Sequence, residues 1–186
     1  MDNENKETII KNIIIIQDKN DTKIKKINQE KEKKMRVETK TWGLNNNDLN
    51  HNKQLTILES LLDDKEEKNK YTSIFKSHIR NKISSYKQQD ILKKKLDEKS
   101  FINFEQVVEL LNNCQMKCHY CSQDIFILYE IVRELKQWSL DRINNDIGHN
   151  YGNLVVACLE CNLKRRRTNK DAFMFTKNLV ITREGL

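Results

Sequence analysis

The stretch 138–162 reads WSLDRINNDIGHNYGNLVVACLECN, and Cys118-His119-Tyr120-Cys121 precedes it. Two Cys-x-x-Cys pairs separated by a long insert have the spacing of a metal site. Two residues between cysteines let both sulfurs of a tight knuckle point at one ion, and Cys118, Cys121, Cys158 and Cys161 together fill a tetrahedral Zn²⁺ shell. A filled shell leaves no position for water, so the expected zinc is structural and clamps the ends of the segment together. His119 is not needed to complete the set. Cys114, four residues before Cys118, is expected to be a buried free thiol.

Between the knuckles, Trp138-Ser139-Leu140-Asp141 alternates in character and predicts a short strand. Asn144, Asn145, Asp146 and Gly148 predict a turn-rich loop. Leu154-Val155-Val156 predicts a second strand. From Asn162 onward, with Asn162 in its first turn, a helix carries Lys164-Arg165-Arg166-Arg167.

This strand, loop, strand, helix order resembles the HNH superfamily, and its four-cysteine form looks most like the zinc-containing endonuclease VII branch. The resemblance covers about Cys118 to Lys170. It rests on the two Cys-x-x-Cys pairs, Asp141, Asn153-Leu154, and the Asn162 that follows the last cysteine. It implies an α+β fold: a small ββα-metal (His-Me finger) module stapled by a four-cysteine zinc site and preceded by a mainly helical region. It further implies that Asp141 and Asn162 hold a divalent ion, that Asn153 braces the active-site loop, and that the helix presents its first turn to backbone phosphates. A carboxylate and an amide oxygen suit Mg²⁺ or Mn²⁺. Such an ion stabilises charge at a phosphodiester undergoing hydrolysis. The implied activity is a metal-dependent DNA endonuclease.

One residue departs from the family pattern. Most members place a histidine, the base that activates water, directly after the metal-binding aspartate. Here that residue is Arg142, which stays protonated and cannot be a base. It suits bidentate phosphate contact instead. The run Leu140-Asp141-Arg142-Ile143 with Gly148-His149 resembles an HNH-like subgroup of phages and large viruses. His149 is the best remaining base, with a pKa type suited to the task. Water activated by the metal is an alternative, as is a module that binds DNA without cutting it. Asp146 either orients His149, helps hold the ion or simply forms a turn. Trp138 is expected to pack the small core.

The basic run Lys164, Arg165, Arg166, Arg167 and Lys170 is the densest in the chain and is read as a phosphate-contacting surface. The whole chain of 186 residues carries a formal charge of +7, which favours a polyanionic partner. DNA is the expected partner, branched or nicked by analogy, with a homodimer possible on the same analogy. No secretory signal is visible, so the thiols are expected in a reducing compartment; nucleus, host cytoplasm and virion are not distinguished. The apolar run Ile13–Ile16 is too short to cross a bilayer.

With 37% hydrophobic and 33% charged residues, part of the chain is expected to be extended. Residues 1–40 read as a disordered arm, 41–112 as a mainly helical region, and 113–186 as the zinc-stapled module with a C-terminal extension. Apolar residues at helical spacing predict helices over 53–66, over 70–98, and around Phe104 to Leu111. Lys76, Arg80, Lys82, Lys87 and Lys93-Lys94-Lys95 give these helices basic faces that either dock DNA or keep them soluble. His51 and His78 are read as surface or packing residues. The abundant asparagine is read as compositional bias, with little value for placing boundaries. Competing functions are a catalytically impaired DNA-binding or structural protein, and a zinc-stapled protein-interaction adaptor.

Overall fold

A computed structural model describes residues 42–62 and 69–179. The arm expected over 1–40, the isoleucine run within it, and the end of the C-terminal extension from Val180 lie outside those residues. After a 3₁₀ turn at Asn46–Leu49 come α1 (His51–Ser60), α2 (Lys70–Leu92), α3 (Phe104–Asn113), β1 (Trp138–Arg142), β2 (Leu154–Cys158), α4 (Leu159–Arg165) and α5 (Lys170–Asn178). The protein is thus α+β, with one two-stranded antiparallel sheet among the described residues. None of the described helices is long and apolar enough to cross a membrane.

Asparagine marks the helix starts. Asn45 caps the 3₁₀ turn, and Asn50, Asn69, Asn103 and Asn169 cap α1, α2, α3 and α5. Each side-chain oxygen accepts from a backbone N–H in the first turn, which the helix itself leaves without a partner. At α3 the cap is reciprocal, because the Gln106 side chain accepts from the Asn103 N–H while Asn103 accepts from Gln106. The asparagines therefore carry boundary information that composition alone conceals. In contrast, α2 stops at Leu92 instead of running to 98. Lys94 adopts a left-handed φ of 54°, and the Lys95 N–H turns back to the Asp90 carbonyl at 2.8 Å.

The helices and the sheet share one core. Phe75, Ile79 and Tyr86 of α2 pack with Val107, Val108 and Leu111 of α3, with Trp138 and Leu140 of β1, and with Val156 and Ala157 of β2. The boundary drawn between 112 and 113 thus passes through a continuous apolar cluster. Trp138 is fully buried, as expected of a core residue, and the Lys82 ammonium lies 4.8 Å from its ring centre. Lys82 is not part of a basic outer face. It turns inward to the Gln137 side chain at 3.0 Å and to the Trp138 carbonyl, and burial pushes its pKa down to about 7. His51 reaches the Met116 carbonyl, while His78 packs edge-on against Trp42 and Tyr129.

Pairing of β1 with β2 runs from Trp138 opposite Cys158 to Arg142 opposite Leu154. This register puts Ser139 and Asp141 on one face and Trp138 and Leu140 on the other. The long segment before β1 is pinned by Gln54 of α1. Its Oε1 accepts from the N–H groups of Ile127 and Leu128 at 2.9 Å, while Nε2 donates to the carbonyls of Leu49 and Leu128 at 3.0 Å.

Gln54 is fully buried, so Gln54→Ala strands the amides of Ile127 and Leu128 and the Leu128 carbonyl away from water. Each stranded group costs about 1–3 kcal/mol. Denaturant unfolding of the zinc-loaded protein is expected to show a loss of at least ~2 kcal/mol. A change within about 0.5 kcal/mol, the range of ordinary surface substitutions, would contradict this role.

Candidate functional site

Cys158 ends β2 and Cys161 lies in the first turn of α4, so strand and helix together hold the second knuckle. The first knuckle is a tight turn in which the Ser122 N–H returns to the Cys118 carbonyl at 2.9 Å. The His119 N–H donates to the Val156 carbonyl at 2.9 Å, tying this knuckle to β2. The sulfurs of Cys118, Cys121, Cys158 and Cys161 lie within 4.8 Å of one another, with Cys121 and Cys158 at 3.9 Å. Tetrahedral Zn²⁺ with bonds of about 2.3 Å needs sulfurs roughly 3.8 Å apart, so this donor set fits zinc. The close packing also couples the thiols. A hydrogen bond from Cys158 pulls Cys118 below the ordinary thiol range, and Cys158 is pushed up in return. Cys114 stays outside the cluster and donates to the Leu111 carbonyl at 3.3 Å.

The cysteine pair also resets the helix. The Cys158 sulfur accepts from the Cys161 N–H at 3.3 Å and so caps α4. The helix therefore begins at Leu159, and Asn162 sits in its middle instead of its first turn. The first turn of α4 is directed into the four-cysteine cluster.

Asp141 and Asn162 both border a cavity of about 260 Å³, but both carboxylate oxygens of Asp141 are already engaged. Oδ2 of Asp141 accepts from the Tyr120 hydroxyl at 2.6 Å, and Oδ1 accepts from Nη1 of Arg165 at 2.7 Å. The side chains of Asp141 and Arg165 are only 4% and 1% exposed. Burial pushes the Asp141 carboxyl upward, opposed by the Tyr120 hydrogen bond and the Arg165 charge. Nδ2 of Asn162 donates to Ser139 Oγ at 3.1 Å and to the Leu140 carbonyl at 3.3 Å. Its Oδ1 accepts no hydrogen bond among the described residues. This donor set does not fit a hard divalent ion, because a buried guanidinium already balances the only carboxylate in it.

His149 lies on the loop between the strands and reaches the same cavity. Its Nδ1 is 2.9 Å from Oδ1 of Asp90, and its backbone N–H donates to Oδ2 of the same carboxylate at 2.6 Å. The ring stacks on Tyr86 at a centroid distance of 4.5 Å, and the Tyr86 hydroxyl accepts from the Leu140 N–H. A carboxylate on Nδ1 fixes the tautomer with a proton there and leaves Nε2 as the acceptor. Burial lowers the His149 pKa, and Asp90 acts in the opposite sense. Gly148 is required for this approach. A Cβ at that position would lie 2.5 Å from the Lys95 carbonyl oxygen and 2.7 Å from Oδ2 of Asp90.

Asn153 spans the loop. It accepts from the Asn144 N–H at 2.9 Å and donates to the carbonyls of Asn144 and Gly148 at 3.0 Å. Asp146 does not orient His149; it sits on an exposed turn, 3.6 Å from Arg167. Arg142 donates to the Ile147 carbonyl at 3.2 Å and borders the cavity, together with Lys93 and Arg166.

The expected phosphate surface is thereby divided. Arg165 leaves it altogether, since its guanidinium is buried on Asp141 and on the carbonyls of Arg142 and Ile143. Lys164, Arg166 and Arg167 are exposed, although Lys164 pairs with Glu160 at 2.5 Å. Lys170 is half-buried and pairs with Asp171.

Asp90, Tyr86 and Tyr120 do not stand out in the sequence. For the first two a signal exists: Phe75, Ile79, Tyr86 and Asp90 follow one face of α2 at steps of four, seven and four. An aspartate closing an apolar stripe marks a buried carboxylate that needs a partner. Tyr120, inside a knuckle, carries no such mark.

Two measurements check this geometry. Replacing Cys118 and Cys121 with serine is expected to abolish zinc retention in metal analysis and to unfold the segment; a variant that keeps full zinc content refutes the four-sulfur site. Separately, NMR titration is expected to place His149 below 6.5, and Asp90→Asn is expected to lower it further. The folded state then binds fewer protons than the unfolded chain below about 6.5, so stability falls as pH drops through that window. His78, pushed down to about 4 by burial, adds to the same trend. A His149 value above 6.5, or a rise on Asp90→Asn, would contradict the assignment.

No protein-family model matches this chain, and no curated protein or solved structure matches it, so the HNH resemblance rests on the residues of 118–170 alone.

Proposed function

We propose that the protein is a DNA endonuclease that hydrolyses phosphodiester bonds at the cavity beside His149. The observation that carries this reading is the buried Asp90–His149 pair at 2.9 Å, set in a cavity bordered by Lys93, Arg142 and Arg166. Nε2 of His149 takes a proton from the attacking water as its oxygen bonds to phosphorus; the P–O bond to the leaving sugar oxygen breaks, and that oxygen takes a proton from solvent. Asp90 holds the ring in the tautomer with Nε2 free and stabilises the imidazolium that forms. The three cations bind the non-bridging oxygens of the scissile phosphate and favour the charge that grows on them in the transition state. The depressed His149 pKa keeps the ring neutral, and hence basic, near pH 7.

DNA as substrate is supported by the +7 charge and the exposed Lys164, Arg166 and Arg167 next to the cavity. The zinc, held by four sulfurs, has a purely structural part: it fixes α4 against the sheet. A divalent ion on Asp141 and Asn162, implied by the resemblance, is not used in this reading, since Arg165 stands on that carboxylate.

A second reading, a DNA-binding module that does not cut, is favoured by the same Asp141–Arg165 pair. Plasmid and branched DNA incubated with zinc-loaded protein, with and without Mg²⁺ or Mn²⁺, separate the two. Cleavage is expected, and His149→Ala is expected to reduce its rate by about 10²–10⁴-fold with DNA affinity retained. Equal rates for the parent and His149→Ala would overturn the assignment. Salt-dependent binding without cleavage under any metal favours the second reading. Neutralising Arg142 or Arg166 is expected to weaken binding and lower the salt slope by about one for each phosphate that the variant no longer neutralises.

A further inference from the structure

Asp141 sits where the HNH resemblance implies a divalent-ion ligand, yet its surroundings serve a different charge. Arg165 is one helical turn beyond Asn162 on α4, the helix that would bring the second ligand to such an ion. Its guanidinium is fixed from three directions: Nη1 on Oδ1 of Asp141 at 2.7 Å, Nη1 on the Arg142 carbonyl at 2.8 Å, and Nη2 on the Ile143 carbonyl at 3.0 Å. The other carboxylate oxygen is held by Tyr120, whose ring is in turn covered edge-on by Phe173 of α5.

We infer that Arg165 is the resident cation of Asp141, a guanidinium built into the position where a divalent ion would otherwise sit. Three physical points support this. An arginine cannot lose its proton to make way for a metal. Two cations on one carboxylate repel strongly in a site where the side chains of Asp141 and Arg165 are almost wholly buried. Finally, the carbonyls of Arg142 and Ile143 at the end of β1 each accept from the guanidinium, so displacing Arg165 would remove both of these part-buried hydrogen bonds along with the ion pair. Asp141 therefore fastens α4 to the end of β1, and the cavity draws its positive charge from Lys93, Arg142 and Arg166. Arg165 holds this place whether or not the cavity cleaves DNA.

The test uses the zinc-loaded full chain without DNA and MnCl₂ alone as probe. In ¹⁵N NMR spectra of the parent protein, Mn²⁺ is expected to leave the amide signals of Leu140, Asp141 and Arg142 no more broadened than those of surface residues elsewhere. Broadening centred on Asp141 at one Mn²⁺ per chain would overturn the inference, and this arm needs no variant. Arg165→Gln is expected to lower the melting temperature, and Mn²⁺ is expected to restore part of the loss, with Mn²⁺ affinity tightened by about tenfold or more. Adding Asp141→Asn to Arg165→Gln should abolish that rescue. Rescue that persists in the double variant would place the ion elsewhere and count against Arg165 as the occupant of an ion position. Nuclease assays play no part in either arm, so loss of the cleavage reading and loss of this inference give different results.

Discussion

The chain leaves the first knuckle at Cys121, returns at Cys158, and is closed there by four sulfurs within 4.8 Å. That closure is the constraint on which the rest depends. A two-stranded sheet is marginal by itself in water, because it buries too little surface to offset the order it imposes. Here the knuckles hold the Cys158 end of β2, while the Cys158 sulfur also starts α4. Zinc in that shell would convert metal-binding free energy into folding free energy for the whole segment. The helices supply what the metal site cannot, an apolar face on which Trp138, Leu140 and Val156 are buried.

The two sides of β1 have different tasks. Through Trp138 and Leu140 the strand meets α2, where Tyr86 and Asp90 position His149. Through Ser139 and Asp141 it meets α4, where Asn162 and Arg165 bind its polar groups. The candidate base thus depends on the helical region and the polar brace on the helix capped by the Cys158 sulfur. Neither half of the chain contains the cavity alone. Gly148 illustrates how tightly the halves meet, because any side chain there would collide with Asp90 and with the backbone beyond α2.

Charge is divided between inside and outside. Lys82 and Arg165 look like members of basic surfaces, yet each is turned inward, one on Trp138 and Gln137 and the other on Asp141. Lys93, Arg142 and Arg166 remain to face the cavity. An inward cation needs carbonyl or carboxylate partners to compensate its desolvation, and both buried cations have them. The surface field that would attract a polyanion therefore comes from fewer residues than the composition suggests.

The sequence by itself determined the local features. Cys-x-x-Cys spacing specified a four-sulfur site, alternation specified the first strand, the β-branched run Leu154-Val155-Val156 the second, and apolar periodicity specified three helices. These signals are legible because each arises among residues close together in the chain. The asparagine caps belong to the same class, and only their number conceals their positions. Tertiary structure alone decided the partners. Whether Asp141 faces an ion or Arg165, whether His149 has a carboxylate behind it, and which lysines lie inside depend on contacts between residues far apart in the chain. Asp90 and His149 are joined only because α2 ends at Leu92 and the loop at Gly148 lacks a side chain. Pairings of that kind follow from how elements pack, and no local pattern in either segment encodes them.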